Sequence, residues 1–255
     1  KGEENTEVTL TVFRPSVNDY LDITMTRKNV EVPTVEHQML TGDIGYVLIT
    51  QFEMVTAQQF KDAVKDLESQ GMKKLMIELR SNPGGVVDSA VSIAAYMLPE
   101  GDILTTRYKN GQEDVYRTKD KKLRVDSSQE GGFPQYPVLD EDELDIPIAI
   151  LVNENSASAS EILAGAMKDY GRATLVGTTT FGKGIVQNLY PLKDGSAIKM
   201  TVAKYFTPSG YDLHEKGIQP DVEVELDAEL AARGYYTLEE DNQVQKAIEV
   251  LNGEN

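Results

Sequence analysis

Two stretches near the start of the chain alternate strictly between apolar and polar residues. Val8, Leu10 and Val12 alternate with Glu7, Thr9 and Thr11, and Leu21, Ile23 and Met25 alternate with Asp22 and Thr24. A period of two predicts strands, and Pro15 to Asp19 supplies a turn, so residues 6–26 read as a hairpin. Two strands alone cannot hold a core. The hairpin must pack on something else, or be the remnant of a larger module. Residues 45–52 predict a third strand. Thr56 is placed to cap a helix, with Gln59 completing a capping box, and Phe60, Val64 and Leu67 follow at helical spacing before Gly71. A strand over 74–79, a glycine-containing loop and a helix near 86–98 come next. This order of elements favours a sheet covered by helices.

Beyond residue 100 the pattern predicts a hairpin over 103–118 around Asn110-Gly111. Residues 119–145 are polar and acidic with little periodicity, and read as a surface insertion. A buried strand resumes from Ile146 to Val152. A loop over 153–156 leads into a helix over 157–170, whose apolar side carries Ile162, Leu163, Ala166, Met167 and Tyr170. Strands are expected near 173–180, 185–192 and 197–206. A last helix over 238–251 sets Val244, Ile248 and Leu251 on one face.

Composition narrows the chemistry. The 255 residues include no cysteine, which removes disulfide scaffolds, thiol nucleophiles and thiolate zinc sites. Absence of cysteine also fits a compartment outside a reducing cytosol. The net charge of −17 disfavours nucleic acid and anionic lipid as partners. No apolar run reaches the ~18 to 20 residues that span a bilayer. No signal peptide opens the chain, which begins without Met and fits a protein whose leader or anchor has been removed.

Four places bear on function. The first, Asn153 to Glu161, joins a buried strand to an amphipathic helix and holds Ser156, Ser158 and Ser160. Unpaired N–H groups at a helix start can stabilise an oxyanion. Serines there also act as plain caps, and chemistry alone does not choose among the three. The second, Gly177 to Gly184, nearly matches the phosphate-loop pattern. Gly184 stands where a hydroxyl would have to reach magnesium, and a strand follows instead of a helix, so nucleotide binding is disfavoured. What remains is Lys183 between two glycines, either a turn lysine or one whose backbone packs tightly against other elements. The third, Leu79 to Gly85, ends a strand with paired glycines, either an anion-binding nest or a simple turn. The fourth is scarcity of histidine: His37 falls in a linker-like segment and His214 in a polar loop, so a Ser–His–Asp triad is poorly supported. A serine hydrolase built from these residues needs another base. Lysine serves where burial depresses its pKa, and Ser–Lys variants of the triad exist.

Taken together, these segments resemble the C-terminal processing peptidases, or tail-specific proteases. The resemblance rests on Ser156-Ala157-Ser158-Ala159-Ser160-Glu161-Ile162, on Thr180-Phe181-Gly182-Lys183-Gly184-Ile185-Val186-Gln187, and on Leu79-Arg80-Ser81-Asn82-Pro83-Gly84-Gly85. Thr207 to Gly210 and Gly217 to Asp221 also match, so it covers roughly residues 35–255. It implies Ser158 as nucleophile, Lys183 as general base and Gln187 as the residue orienting that lysine. It implies an oxyanion hole from the N–H of Gly84 or Gly85 with that of Ser158 or Ala159. The implied fold is α/β, a ClpP/crotonase-like ββα superhelix core over 35–255. Residues 1–34 would be the terminal strands of a PDZ domain and a linker. The implied substrates are proteins or peptides with flexible C-termini, with no metal or organic cofactor and no nucleic acid. A homo-oligomer is compatible with this reading, and the implied location is extracytoplasmic. Two other readings share the fold: a non-catalytic peptide-binding module, and an acyl-CoA enzyme with the Gly84-Gly85 loop holding a thioester oxyanion.

Overall fold

A computed structural model describes residues 2–28, 32–120, 122–127 and 144–254. The chain divides into two units, Lys1–Pro33 and Thr34–Asn255. The first holds strands β1 (Glu7–Arg14) and β2 (Asp19–Thr26), paired antiparallel from Glu7 opposite Thr26 to Arg14 opposite Asp19. The predicted hairpin is present, yet its alternation does not create a buried face. Leu10, Val12, Phe13, Tyr20, Ile23 and Met25 are all exposed.

The second unit is mixed α/β. Its elements are β3 (Val35–Met39), β4 (Ile44–Ile49), α1 (Thr56–Ser69), β5 (Lys74–Glu78), α2 (Val87–Met97), β6 (Gly101–Tyr108), β7 (Glu113–Lys119), β8 (Lys122–Ser127), β9 (Ile148–Val152), α3 (Ala159–Asp169), β10 (Thr174–Gly177), β11 (Ile185–Pro191), β12 (Ala197–Phe206), β13 (Val222–Glu223), α4 (Ala228–Arg233) and α5 (Asn242–Asn252). Strands β13-β10-β9-β5-β4-β3 form one sheet, parallel except for the β3–β4 pair. Strands β11-β12-β6-β7-β8 form a second, antiparallel sheet.

The period of two decides which face each residue of the parallel sheet serves. Leu75, Ile77, Ile148, Ile150 and Val152 join the core that includes α1, α2 and α3. Their neighbours Met76, Ala149 and Leu151 join a second core with Val244, Ala247 and Leu251 of α5. Both faces are therefore covered, which is why β9 reads Ile-Ala-Ile-Leu-Val without a polar break. Its parallel strands all end at the same edge, and the loops that leave that edge carry the candidate residues.

Four local features depart from the sequence pattern. His37 lies on β3, not in a linker, with Nε2 2.9 Å from Asp66 Oδ2. The Thr56–Gln59 capping box does not form. Thr56 Oγ1 instead accepts from Glu53 N at 2.8 Å, and Gln59 Oε1 accepts from Thr34 N at 2.9 Å, because the adjoining segment offers both side chains tertiary partners. Strand β8, with buried Leu123, lies inside the segment read as an insertion, whose residues 128–143 fall outside the described ones. Helix α4 exposes most of its side chains and buries none, so it leaves no apolar stripe to detect.

Candidate active site

Three loops meet at the C-terminal edge of the parallel sheet. The loop after β9 turns into α3 through Ser158, whose φ of 55° and ψ of −111° lie where a residue with a side chain is strained. Sharp, strained turns from strand to helix present a nucleophile's oxygen clear of the backbone. The three serines are not equivalent. Ser156 is fully buried, its Oγ donating to Leu79 O at 2.8 Å and accepting from Asn153 N at 3.0 Å. Ser160 is also fully buried and donates to Asn82 O at 3.0 Å. Both hydroxyls pin the loop after β5 to the loop after β9. Ser158 alone is half-buried and carries the left-handed φ.

The loop after β5 packs directly under this turn. Asn82 is buried; its Nδ2 donates to Ile49 O at 2.7 Å and its Oδ1 accepts from Gly84 N at 2.9 Å. Its main-chain oxygen accepts from Ala157 N at 3.0 Å. Gly84 has φ +95°, and a Cβ there would stand 2.5 Å from Ala157 O and 2.8 Å from Ser158 Cβ. Only glycine permits that approach. With Gly84 N committed to Asn82, the N–H groups of Gly85 and Ala159 are left without an intramolecular acceptor among the described residues. Asn153 adds another tie, its Oδ1 accepting from Ser81 N at 2.8 Å.

The loop between β10 and β11 carries Lys183. One side chain binds it to the Ser158 turn. Glu161, fully buried in the first turn of α3, forms a capping box with Ser158 and accepts from Ser158 N at 2.9 Å. The same carboxylate accepts from Gly182 N at 2.6 Å, Lys183 N at 2.8 Å and Thr180 Oγ1 at 2.6 Å. Ser158 N and Lys183 N share a single oxygen, Oε2. Four donors satisfy a carboxylate that burial would otherwise penalise heavily. Phe181 N also donates to Ser156 O at 3.0 Å. The tight packing that paired glycines allow is present: a Cβ at Gly182, where φ is +86°, would stand 2.9 Å from Gly217 N. Lys183 is half-buried, and its ammonium forms no hydrogen bond or ion pair among the described residues.

The strand after Lys183 settles the near-match to a phosphate loop, since β11 begins at Ile185 where a helix would be required. Gln187 lies on that strand, exposed, with its amide 3.4 Å from Thr201 Oγ1. It is not hydrogen-bonded to Lys183 among the described residues. His37 sits on β3, away from these loops, while His214 packs against the lysine loop, Nδ1 lying 3.3 Å from Gly182 O.

Behind the three loops, Arg80 is held by two buried carboxylates. Its Nε lies 2.9 and 3.0 Å from the Glu78 oxygens, and its terminal nitrogen 2.8 Å from Asp241 Oδ2. Burial alone would lower the guanidinium pKa, but the hydrogen bonds and charge of Glu78, then of Asp241, raise it. Burial, then the Glu78 charge, likewise pushes the nearby Tyr46 phenol upward. Arg80 is thus a fixed cation at the root of the Ser81–Gly85 loop.

The chain belongs to peptidase family S41, whose family model it matches over residues 43–224. It is 39% identical over 225 residues to a Staphylococcus aureus protein named "Probable CtpA-like serine protease", covering 88% of this chain and 41% of the relative. It is 39% identical over 239 residues to a carboxy-terminal-processing protease of Bartonella bacilliformis, covering 92% and 51%. Among solved structures it resembles the photosystem II D1 C-terminal processing protease, with a TM-score of 0.60 and 29% identity over 88% of this chain and 57% of that one. The chain spans about half the length of the curated relatives it matches.

Sequence pattern does not flag Asn82, Asn153 or Thr180 as organisers of the site, because the contacts by which they join one loop to another reach far along the chain. Glu161 does leave a trace. Its S-x-x-E spacing from Ser158 is the signature of a capping box.

Proposed function

We propose that this chain is the catalytic part of a serine endopeptidase that cleaves near the C-termini of unfolded or partly unfolded proteins. Ser158 is the nucleophile and Lys183 the general base. The observation that carries the reading is the Glu161 carboxylate, which takes both Ser158 N–H and Lys183 N–H on one oxygen and so couples the two loops. Neutral Lys183 removes the Ser158 proton as Oγ attacks the peptide carbonyl. The N–H groups of Gly85 and Ala159 receive the oxyanion, with Gly84 acting through its missing side chain. The protonated lysine passes its proton to the leaving amine, and water then hydrolyses the acyl-enzyme. Gln187, free to change rotamer on the exposed face of β11, orients Lys183 when substrate is bound.

The resemblance extends the proposal. The second unit belongs to the ClpP/crotonase-like superhelices, and the β1–β2 hairpin is the end of a PDZ-type domain, a reading supported by the exposure of its apolar face at Leu10, Val12, Ile23 and Met25. PDZ domains take peptides by adding a strand. The proposed location is extracytoplasmic. Among the described residues no helix is long and apolar enough to cross a membrane. A chain lengthened upstream to match the relatives should protect the β1–β2 amides from hydrogen exchange. Unchanged exchange would remove the PDZ assignment.

Mass spectrometry of an unfolded protein incubated with this chain and with Ser158→Ala tests the function. Shortening from the C-terminal side by the parent, and none by the variant, is the expected result. Equal shortening by both would refute it.

A further inference from the structure

We propose that Gln243, in the first turn of α5, is a positioning residue for the reaction, tying together the roots of the loops that carry Gly85 and Lys183. Helix α5 covers the face of the parallel sheet opposite α3, so the tie reaches the candidate site from the other face. Gln243 is 2% exposed, and both ends of its amide are engaged. Its Oε1 accepts from Arg80 Nη1 at 2.6 Å, and its Nε2 donates to Val224 O at 2.6 Å. Arg80 immediately precedes Ser81, whose φ of 59° is left-handed and whose N–H donates to Asn153. From there the loop runs to Gly85. At the other end of the tie, Val224 N donates to Gly177 O at 2.9 Å, and Gly177 opens the loop that leads to Lys183.

The chemistry of the junction calls for an amide. Glu78 and Asp241 engage the other guanidinium nitrogens of Arg80, so Nη1 takes its acceptor from Gln243. A carboxylate at 243 would accept from Arg80 but could not donate to Val224 O, and a thioether would replace neither bond. Asp241 holds the amide in place, its Oδ1 accepting from Gln243 N at 2.9 Å and Val244 N at 3.2 Å at the start of the helix. A buried guanidinium N–H that loses its acceptor must move or stay unpaired, and both are unfavourable. Movement of Arg80 passes directly to Ser81 and on toward Gly85. Glu161 thus grips the Ser158 and Lys183 loops by their main chain, while Gln243 fixes the roots of the Gly85 and Lys183 loops from the α5 side. The effect on rate rests on the peptidase reading, but the tie itself does not, and the test reads the two separately.

Gln243→Met keeps the volume and removes both hydrogen bonds. It should lower kcat about tenfold, the size of one hydrogen bond to a charged group, and leave KM within about twofold, the mark of an interaction felt in the transition state. Val244→Ala, a buried core position on the same helix, is the control for lost stability. It should lower the melting temperature yet keep kcat within about twofold of the parent. Hydrogen exchange read by mass spectrometry should quicken over residues 79–86 and 177–184 in Gln243→Met, and over neither in Val244→Ala. Gln243→Glu, which retains only the bond to Arg80, should quicken 177–184 alone, and this pattern decides the matter should Gln243→Met not fold. A kcat for Gln243→Met equal to that of the parent or of Val244→Ala, or exchange unchanged over both segments, would overturn the proposal. Quickened exchange in the variant of a chain that cleaves no protein would uphold the tie and refute the peptidase reading.

Discussion

The β1–β2 hairpin and the β5–β9 pair are both strand pairs with well-patterned sequences, yet they differ in what burial does for them. In the hairpin the apolar residues face outward, with Tyr20 67% exposed. In β5 and β9 each apolar side chain is buried, alternating between the core under α1–α3 and the core under α5. Hydrogen-bonded pairing is common to both. Covered faces belong only to the second, and only there can a strand end hold a strained turn such as Ser158. Backbone strain of about 1–3 kcal/mol persists only where the surroundings over-determine it. Ser156, Ser160, Asn82 and Glu161 supply that constraint with buried hydrogen bonds.

The largest effect expected from breaking this contrast is at Lys183, the proposed base. Lys183→Arg keeps a cation in the loop but cannot deprotonate, so turnover should fall by about a thousandfold or more with the melting temperature little changed. Steady-state kinetics near the parent's would remove the lysine from its role.

Next comes the clasp. Glu161→Gln preserves volume but turns an NH2 group toward main-chain donors. It should lower kcat by about a hundredfold and destabilise the fold by about 1–3 kcal/mol. Denaturant unfolding and kinetics together check this, and a kcat within twofold of the parent would show that the coupling is dispensable. Cutting back one core side chain, Ile150→Ala, should cost about 2–5 kcal/mol in the same unfolding experiment. Phe13→Ser on the hairpin should change stability by no more than about 0.5 kcal/mol. A larger loss would mean that the hairpin's apolar residues have a covering partner.

The sequence pattern predicts β4, β5, β9 and β10 and the helices α1, α2, α3 and α5, because near-continuous apolar runs such as Ile148 to Val152 leave little choice, while the two-residue β13 is too short to leave a pattern. It does less well where local chemistry yields to distant partners. Thr56 and Gln59 have the spacing of a capping box, but Thr34 and Glu53 claim their side chains. Strand β3 escapes notice because Glu36, His37 and Gln38 lie exposed between partly buried Val35 and Met39. At the site, the motifs mark the loops, but residue chemistry alone does not separate Ser158 from its two neighbours. Burial and φ distinguish them, and neither is a local property. Glu161 is the intermediate case, with a local signature whose larger role, gripping the lysine loop 21 and 22 residues away, appears only in three dimensions.

The central claim is that Ser158 is the activated serine and that Lys183 activates it. The most direct measurement is peptide mapping by mass spectrometry after reaction with a fluorophosphonate, on the parent and on Lys183→Ala. The account predicts a single adduct on Ser158 in the parent and its loss, or near loss, in the variant. An adduct on Ser156 or Ser160, or labelling of Ser158 at the parent's rate without Lys183, would contradict it.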